Sequence, residues 1–135
     1  MVHVDLGDRS YDVHFQSLRT LPALLSDTDL RVGRCLLISD ENVASHYRTP
    51  VTRTLEDAGW TVKSVVLPPG ESTKSAEHLH TLYDEALDWG IDRDTPVFSL
   101  GGGVIGDLAG FAAATLLRGL PLVHLPTSLL AQVDA

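Results

Sequence analysis

Val2, Val4 and Leu6 alternate with polar residues, the chain turns over Gly7-Asp8-Arg9-Ser10, and Tyr11, Val13 and Phe15 alternate again. A period of two on both sides of a glycine-bearing turn predicts an N-terminal β-hairpin. A short helix is predicted around Ser17 to Leu25, weakened by Pro22. The pattern then changes. Arg34 to Ser39 is a continuous apolar run, as expected of a strand buried on both faces. A helical pattern follows Asp40-Glu41-Asn42 and stops at Ala58-Gly59. Thr61 to Leu67 reads as a strand, Thr73 to Trp89 as a helix closed by Gly90, and Pro96 to Leu100 as a strand. Val104 to Arg118 reads as a helix closed by Gly119, and Leu122 to Leu125 as a last strand. No closing helix is predicted after it, and the end at Ala135 reads as that of a piece cut from a longer protein.

Strands alternating with helices predict an α/β fold, a parallel sheet with flanking helices and right-handed crossovers. Such sheets bind ligands beyond the carboxyl ends of their strands. Those ends read Asp40-Glu41-Asn42, Pro69-Gly70-Glu71, Gly101-Gly102-Gly103 and Pro126-Thr127-Ser128. The chain of 135 residues suits one domain.

Composition narrows the function classes. Eighteen acidic residues against ten basic ones give a net charge of -8, and Lys63 and Lys74 are the only lysines. That balance argues against nucleic acid as a partner, because phosphate contacts need clustered cations. It does not exclude an anionic ligand in a locally positive pocket. The apolar stretch Leu108 to Leu117 is about half the length that spans a bilayer. The first residues lack the apolar run of a signal peptide. No membrane partner and a cytoplasmic location are expected. Cys35 is the only cysteine, which excludes a disulfide framework and reads as a small core residue.

The strongest chemical signal is Gly101-Gly102-Gly103-Val104-Ile105-Gly106-Asp107. Glycines let a phosphate approach bare N–H groups, and the helix beginning there adds free donors and a positive dipole end. The pattern lacks the Gly-Lys-Ser/Thr of a Walker loop. A tight turn with close helix packing is the plainer reading. Asp107 is either favourable charge at a helix start or a group that holds a ribose or nicotinamide. Asp40 and Asn42 are equally open: a carboxylate after a buried strand can accept ribose hydroxyls or cap the next helix. Ser72 or Thr73 is expected to cap the following helix, which puts Lys74 in an early turn where a cation is unfavourable. That mismatch points to an anionic or polar ligand. Arg118 closes a buried helix or holds a phosphate. His124 reads as a satisfied core histidine. His78 and His80 are two apart on a predicted helix and make a poor metal pair.

Leu100 to Gly119 (LGGGVIGDLAGFAAATLLRG), followed by Pro126 to Asp134 (PTSLLAQVD), closely resembles 3-dehydroquinate synthase. Asp40-Glu41-Asn42-Val43 and Pro69-Gly70-Glu71-Ser72-Thr73-Lys74 resemble that family at the corresponding places. The wider superfamily holds other sugar phosphate cyclases and the metal-dependent polyol dehydrogenases. The resemblance implies a Rossmann-like NAD-binding domain over residues 1–135, with a C-terminal helical metal-binding domain absent from this chain. It implies a homodimeric shikimate-pathway lyase. The substrate would be 3-deoxy-D-arabino-heptulosonate 7-phosphate, with NAD and a divalent zinc or cobalt ion as cofactors. By position, Asp40, Asn42, Glu71 and Lys74 would serve the adenosine end of NAD, and Gly70 and Gly106 would also bind the cofactor. Gly102, Gly103 and Val104 would serve the pyrophosphate, Asp107 the nicotinamide side, and Thr127 and Ser128 the cofactor wall. Ser128 stands where the family often has threonine, which keeps the hydroxyl. Arg118 and Asp134 would bind substrate, Arg118 across a dimer interface. The family's metal ligands, a Glu and two His, lie beyond a Gly-Gly-Lys segment that these 135 residues do not contain. The chain alone is therefore expected to lack cyclase activity.

Overall fold

The computed structural model describes residues 1–134, and the backbone only of Asp134. Two short strands, β1 (Val2–Val4) and β2 (Tyr11–Val13), pair antiparallel as the predicted hairpin, with a 3-10 turn at Gly7–Arg9 between them. A cross-strand contact of 2.7 Å joins His3 Nδ1 and Asp12 Oδ1. Helix α1 covers Leu21–Ser26, with Pro22 in its first turn, where the missing N–H is harmless.

The main sheet is parallel and four-stranded. Strand β3 (Arg34–Asp40) leads to α2 (Glu41–Asp57), β4 (Thr61–Leu67) to α3 (Ala76–Asp88), and β5 (Val97–Gly101) to α4 (Gly103–Thr115). Strand β6 (Leu122–Pro126) leads to α5 (Leu129–Asp134). The order across the sheet is β4-β3-β5-β6. Cys35 to Ser39 and all of β5 are buried, which explains their continuous apolar runs. Alternate residues feed two cores. Leu36, Ile38 and Val97 face Ile105, Leu108 and Leu82 of α4 and α3. Cys35, Leu37 and Phe98 face Leu21, Val51 and Leu55 of α1 and α2. Trp60 meets Phe98 edge to face at 6.0 Å between ring centres. Burial pushes the Cys35 thiol up to about 12.

Four sequence expectations change. Ser75, not Ser72 or Thr73, caps α3, its Oγ accepting from His78 N–H at 3.3 Å. Glu71–Thr73 is instead a 3-10 turn, so Lys74 lies in the linker before α3 and not within a helical turn. Helix α4 stops at Thr115 rather than Arg118. The chain then tightens over Leu116–Arg118, where Leu117 (φ 48°) and Arg118 (φ 72°) are left-handed. The core explains the early stop: Leu116 and Leu120 are both buried, and Leu120 N–H returns to Ala113 O at 2.7 Å. A straight helical run cannot place both residues inward and also reverse into β6. Finally, a short helix, α5, does follow β6, capped by Ser128 Oγ, which accepts from Ala131 N–H at 3.2 Å.

Candidate functional site

Parallel register gathers the strand ends. Asp40 pairs with Leu67, Ser39 with Leu100, and Gly101 with Pro126. The four polar or glycine-bearing segments therefore share one edge of the sheet. From β3 the chain first goes outward to β4 and then crosses to β5 on the other side. The direction reverses between β3 and β5, and open α/β sheets bind ligands at such a switch point. Asp40 ends the first of these strands and Gly101 the second.

The glycine loop is built by close packing and left open where a ligand would approach. A Cβ on Gly101 would sit 2.8 Å from Ile105 Cβ, so the turn requires glycine. A Cβ on Gly103 would meet nothing within 4 Å. Gly102 is the N-cap of α4, and no side chain caps that end. The first-turn N–H groups of a helix have no partner within the helix, so an uncapped end offers donors and positive potential to an anion. Thr127 N–H donates to Gly101 O at 2.9 Å and ties the loops after β5 and β6 together. Ser128 Oγ would lie 3.6 Å from a Cβ on Gly102. A cleft of about 390 Å³ opens beside the loop, with Asp107, Gly106, Phe111, His124 and Pro126 among its lining.

Asp40 performs the capping role, its Oδ1 accepting Val43 N–H at 3.0 Å. Asn42 is exposed in the first turn of α2. Gly70 (φ 102°) takes a conformation that suits glycine and swings the chain from β4 towards α4. Thr73 Oγ1, buried, locks that loop by donating to Pro68 O at 2.6 Å. Lys74 Nζ then lies 2.8 Å from Asp107 Oδ2 and 3.3 Å from Glu71 Oε1. Hydrogen bonds to Asp107 and then Glu71 raise the Lys74 amine above its ordinary value.

His124 is no core residue. It is exposed on the edge strand, and its Nδ1 lies 2.7 Å from the Oγ of buried Ser99. Packing pushes the imidazole below its usual value, while the Asp107 carboxylate pulls it up. No local pattern signals the Ser99–His124 pair or the Lys74–Asp107 pair, because each joins strands or loops whose adjacency depends on sheet order. Arg118 is not brought to the site. It lies beyond the far end of α4, whose 13 residues span about 20 Å at 1.5 Å each. The side chain of Asp134 lies outside the described residues. Among the described residues, no group of three or more His, Cys, Asp or Glu side chains could hold a metal ion, and no helix is long and apolar enough to cross a membrane.

Comparison with known proteins decides the family. The model of the 3-dehydroquinate synthase N-terminal family matches residues 64–135, glycine loop included. This chain belongs to that family. The 3-dehydroquinate synthase of Salinibacter ruber is 72% identical over 134 residues, which are 99% of this chain and 36% of that protein. The 3-dehydroquinate synthase of Desulforamulus reducens is 45% identical over 136 residues, 99% of this chain and 38% of that protein. The chain thus spans little more than a third of the length of these relatives. Among solved structures, 2-deoxy-scyllo-inosose synthase complexed with carbaglucose-6-phosphate, NAD+ and Co2+ superposes with a TM-score of 0.82 and 25% identity, over 96% of this chain and 35% of that one. ValA, a 2-epi-5-epi-valiolone synthase from Streptomyces hygroscopicus with NAD+ and Zn2+ bound, gives 0.77 and 31%, over 97% and 36%. The 3-dehydroquinate synthase N-terminal family thus shares its Rossmann-like fold with sugar phosphate cyclases.

Proposed function

We propose that residues 1–135 are the NAD-binding domain of a 3-dehydroquinate synthase. The observation that carries this reading is the uncapped, glycine-lined N-terminus of α4 at the sheet's switch point, with Asp40 ending the adjacent strand β3. A dinucleotide fits these residues: open space at Gly103 admits a pyrophosphate to the N–H groups of Gly103 and Val104. Gly106 keeps the next turn free of a side chain. Asp40, Asn42, Gly70, Glu71 and Lys74 surround the adenosine end. Asp107 stands on the nicotinamide side, and Thr127 and Ser128 form the facing wall. The 72% identity to a 3-dehydroquinate synthase and the NAD+ named in two similar cyclase structures support the cofactor.

In the whole protein the reaction would convert 3-deoxy-D-arabino-heptulosonate 7-phosphate to 3-dehydroquinate and phosphate, in the shikimate route of the cytoplasm. NAD supplies a transient oxidation of a substrate alcohol, reversed within the cycle. This chain's part is to bind and orient: helix α4 fixes the pyrophosphate and Asp107 the reactive end. The described residues offer no ligand set for the divalent metal, zinc or cobalt. Arg118, about one helix length from the glycine loop, would serve the substrate site of a second copy in a homodimer, and Asp134 the substrate beside the cofactor. Another sugar phosphate cyclase is the second reading, favoured by the two cyclase superpositions.

The test is phosphate release from 3-deoxy-D-arabino-heptulosonate 7-phosphate by the native protein that carries this chain, with NAD and zinc supplied. Phosphate without net NADH is expected, and none from residues 1–135 alone. Net NADH from a polyol, with no phosphate release, would assign the protein to the polyol dehydrogenases instead.

A further inference from the structure

Ser99 and His124 form a pair that the fold brings together and that none of the proposed cofactor roles uses. Strands β5 and β6 pair in register at these two residues, so both side chains stand on the face of the sheet that α4 covers. Ser99 is 2% exposed, and its Oγ lies 2.7 Å from His124 Nδ1. Among the described residues that nitrogen is the only partner of the hydroxyl. The buried O–H is satisfied as a donor only if Nδ1 accepts it. Ser99 therefore donates to Nδ1, which keeps the ring neutral and places its proton on Nε2. Nε2 has no partner among the described residues, and His124 is exposed on the wall of the cleft beside the glycine loop. Gly106, Gly110, Phe111, Pro126 and Ala131 give that cleft a largely apolar lining. Such a surface suits a flat ring that carries a hydrogen-bond acceptor.

Resting on the proposed NAD site, we infer that His124 contacts the reactive end of the cofactor: Ser99 fixes the imidazole with its proton on Nε2, and this N–H donates to the carboxamide oxygen of the nicotinamide. The order along the cofactor sets the place. With adenosine on the β3 side and the pyrophosphate at the start of α4, the nicotinamide is carried towards β6, where the cleft opens. A neutral donor suits that position, because the oxidised nicotinamide ring is itself positive and an imidazolium would repel it.

The experiment is a calorimetric titration of the full-length native protein that carries this chain, with NAD and with ADP-ribose, which lacks the nicotinamide. Circular dichroism checks that each variant is folded. His124→Phe is expected to bind NAD about tenfold more weakly, the loss of one hydrogen bond, with ADP-ribose unchanged. His124→Gln keeps a donor and should recover most of the affinity. Ser99→Ala frees the ring to populate both tautomers, so NAD should weaken about twofold and ADP-ribose not at all. Unchanged NAD affinity in His124→Phe would overturn the inference. Equal losses for NAD and ADP-ribose would overturn it too, because the residue would then serve the fold and not the nicotinamide. Unchanged NAD affinity in Ser99→Ala would remove Ser99 from the arrangement. A wild-type protein that binds neither NAD nor ADP-ribose would bring down the proposed cofactor site itself, and the inference with it.

Discussion

The loops after β5 and β4 reach the same corner of the molecule by opposite means. The glycine loop works through its backbone. Its donors are N–H groups, its shape is set by the contact of Gly101 with Ile105, and a side chain would only obstruct it. The Glu71–Lys74 loop works through side chains. Its backbone is locked by the buried Thr73 hydroxyl, and its chemistry is the ion pair it carries to Asp107. A backbone site is therefore sensitive above all to an added Cβ. A side-chain site is sensitive to charge and indifferent to small changes in shape.

That contrast breaks most easily at Gly101. Gly101→Ala puts a Cβ 2.8 Å from Ile105 and should destabilise the fold by about 2 kcal/mol, seen as a lower thermal midpoint. The neighbouring Gly103→Ala separates binding from folding. Its Cβ meets no protein atom, so stability should hold while NAD affinity falls about tenfold. Equal losses of stability at both glycines would mean that the loop is simply a packed turn.

Charge effects should be smaller. The imidazole of His124 is held below its ordinary value by packing. The unfolded chain therefore takes up that proton first, and stability should fall as pH drops through the ordinary histidine range near 6.5. The loss ends once pH passes below the folded value. His124→Gln should flatten this acid limb of a denaturation series by a measurable but small amount. Smallest of all is the effect of Lys74→Met on the thermal midpoint, which should barely move because the pair is exposed. A large drop would show that the loop after β4 depends on the ion pair for its shape. Cys35 offers an internal control: a buried thiol raised to about 12 should resist alkylation in the native chain and react on unfolding.

The two loops also differ in how far the sequence revealed them. The strands and the glycine loop were legible because each rests on local pattern: a continuous apolar run, a glycine triplet, a helical period of 3.6. The hairpin, the parallel sheet and the strand-end location of the site followed from the same signals. The Lys74–Asp107 contact was illegible because it joins the loop after β4 to a helix that follows β5, and strand order is not a local property. The same holds for His124, whose place in the cleft wall depends on β6 lying at the sheet edge beside Ser99. The stop of α4 at Thr115 was missed for another reason. Leu117 and Arg118 are good helix formers by composition, yet tertiary packing drives both into left-handed backbone at a cost of about 1–2 kcal/mol each. Resemblance alone supplied the roles proposed for Arg118 and Asp134. The first lies at the opposite end of α4 from the glycine loop, and the side chain of the second is not among those described.

The central claim is that the start of α4 binds the pyrophosphate of NAD. Its most direct test is to follow the backbone amide resonances of this chain while NAD is added. Shifts concentrated at Gly102, Gly103, Val104 and Asp107, with a second group at Asp40 and Asn42 across the switch point, are the predicted result. Amides that stay fixed at the glycine loop while NAD shifts resonances elsewhere, or shifts none, would contradict it.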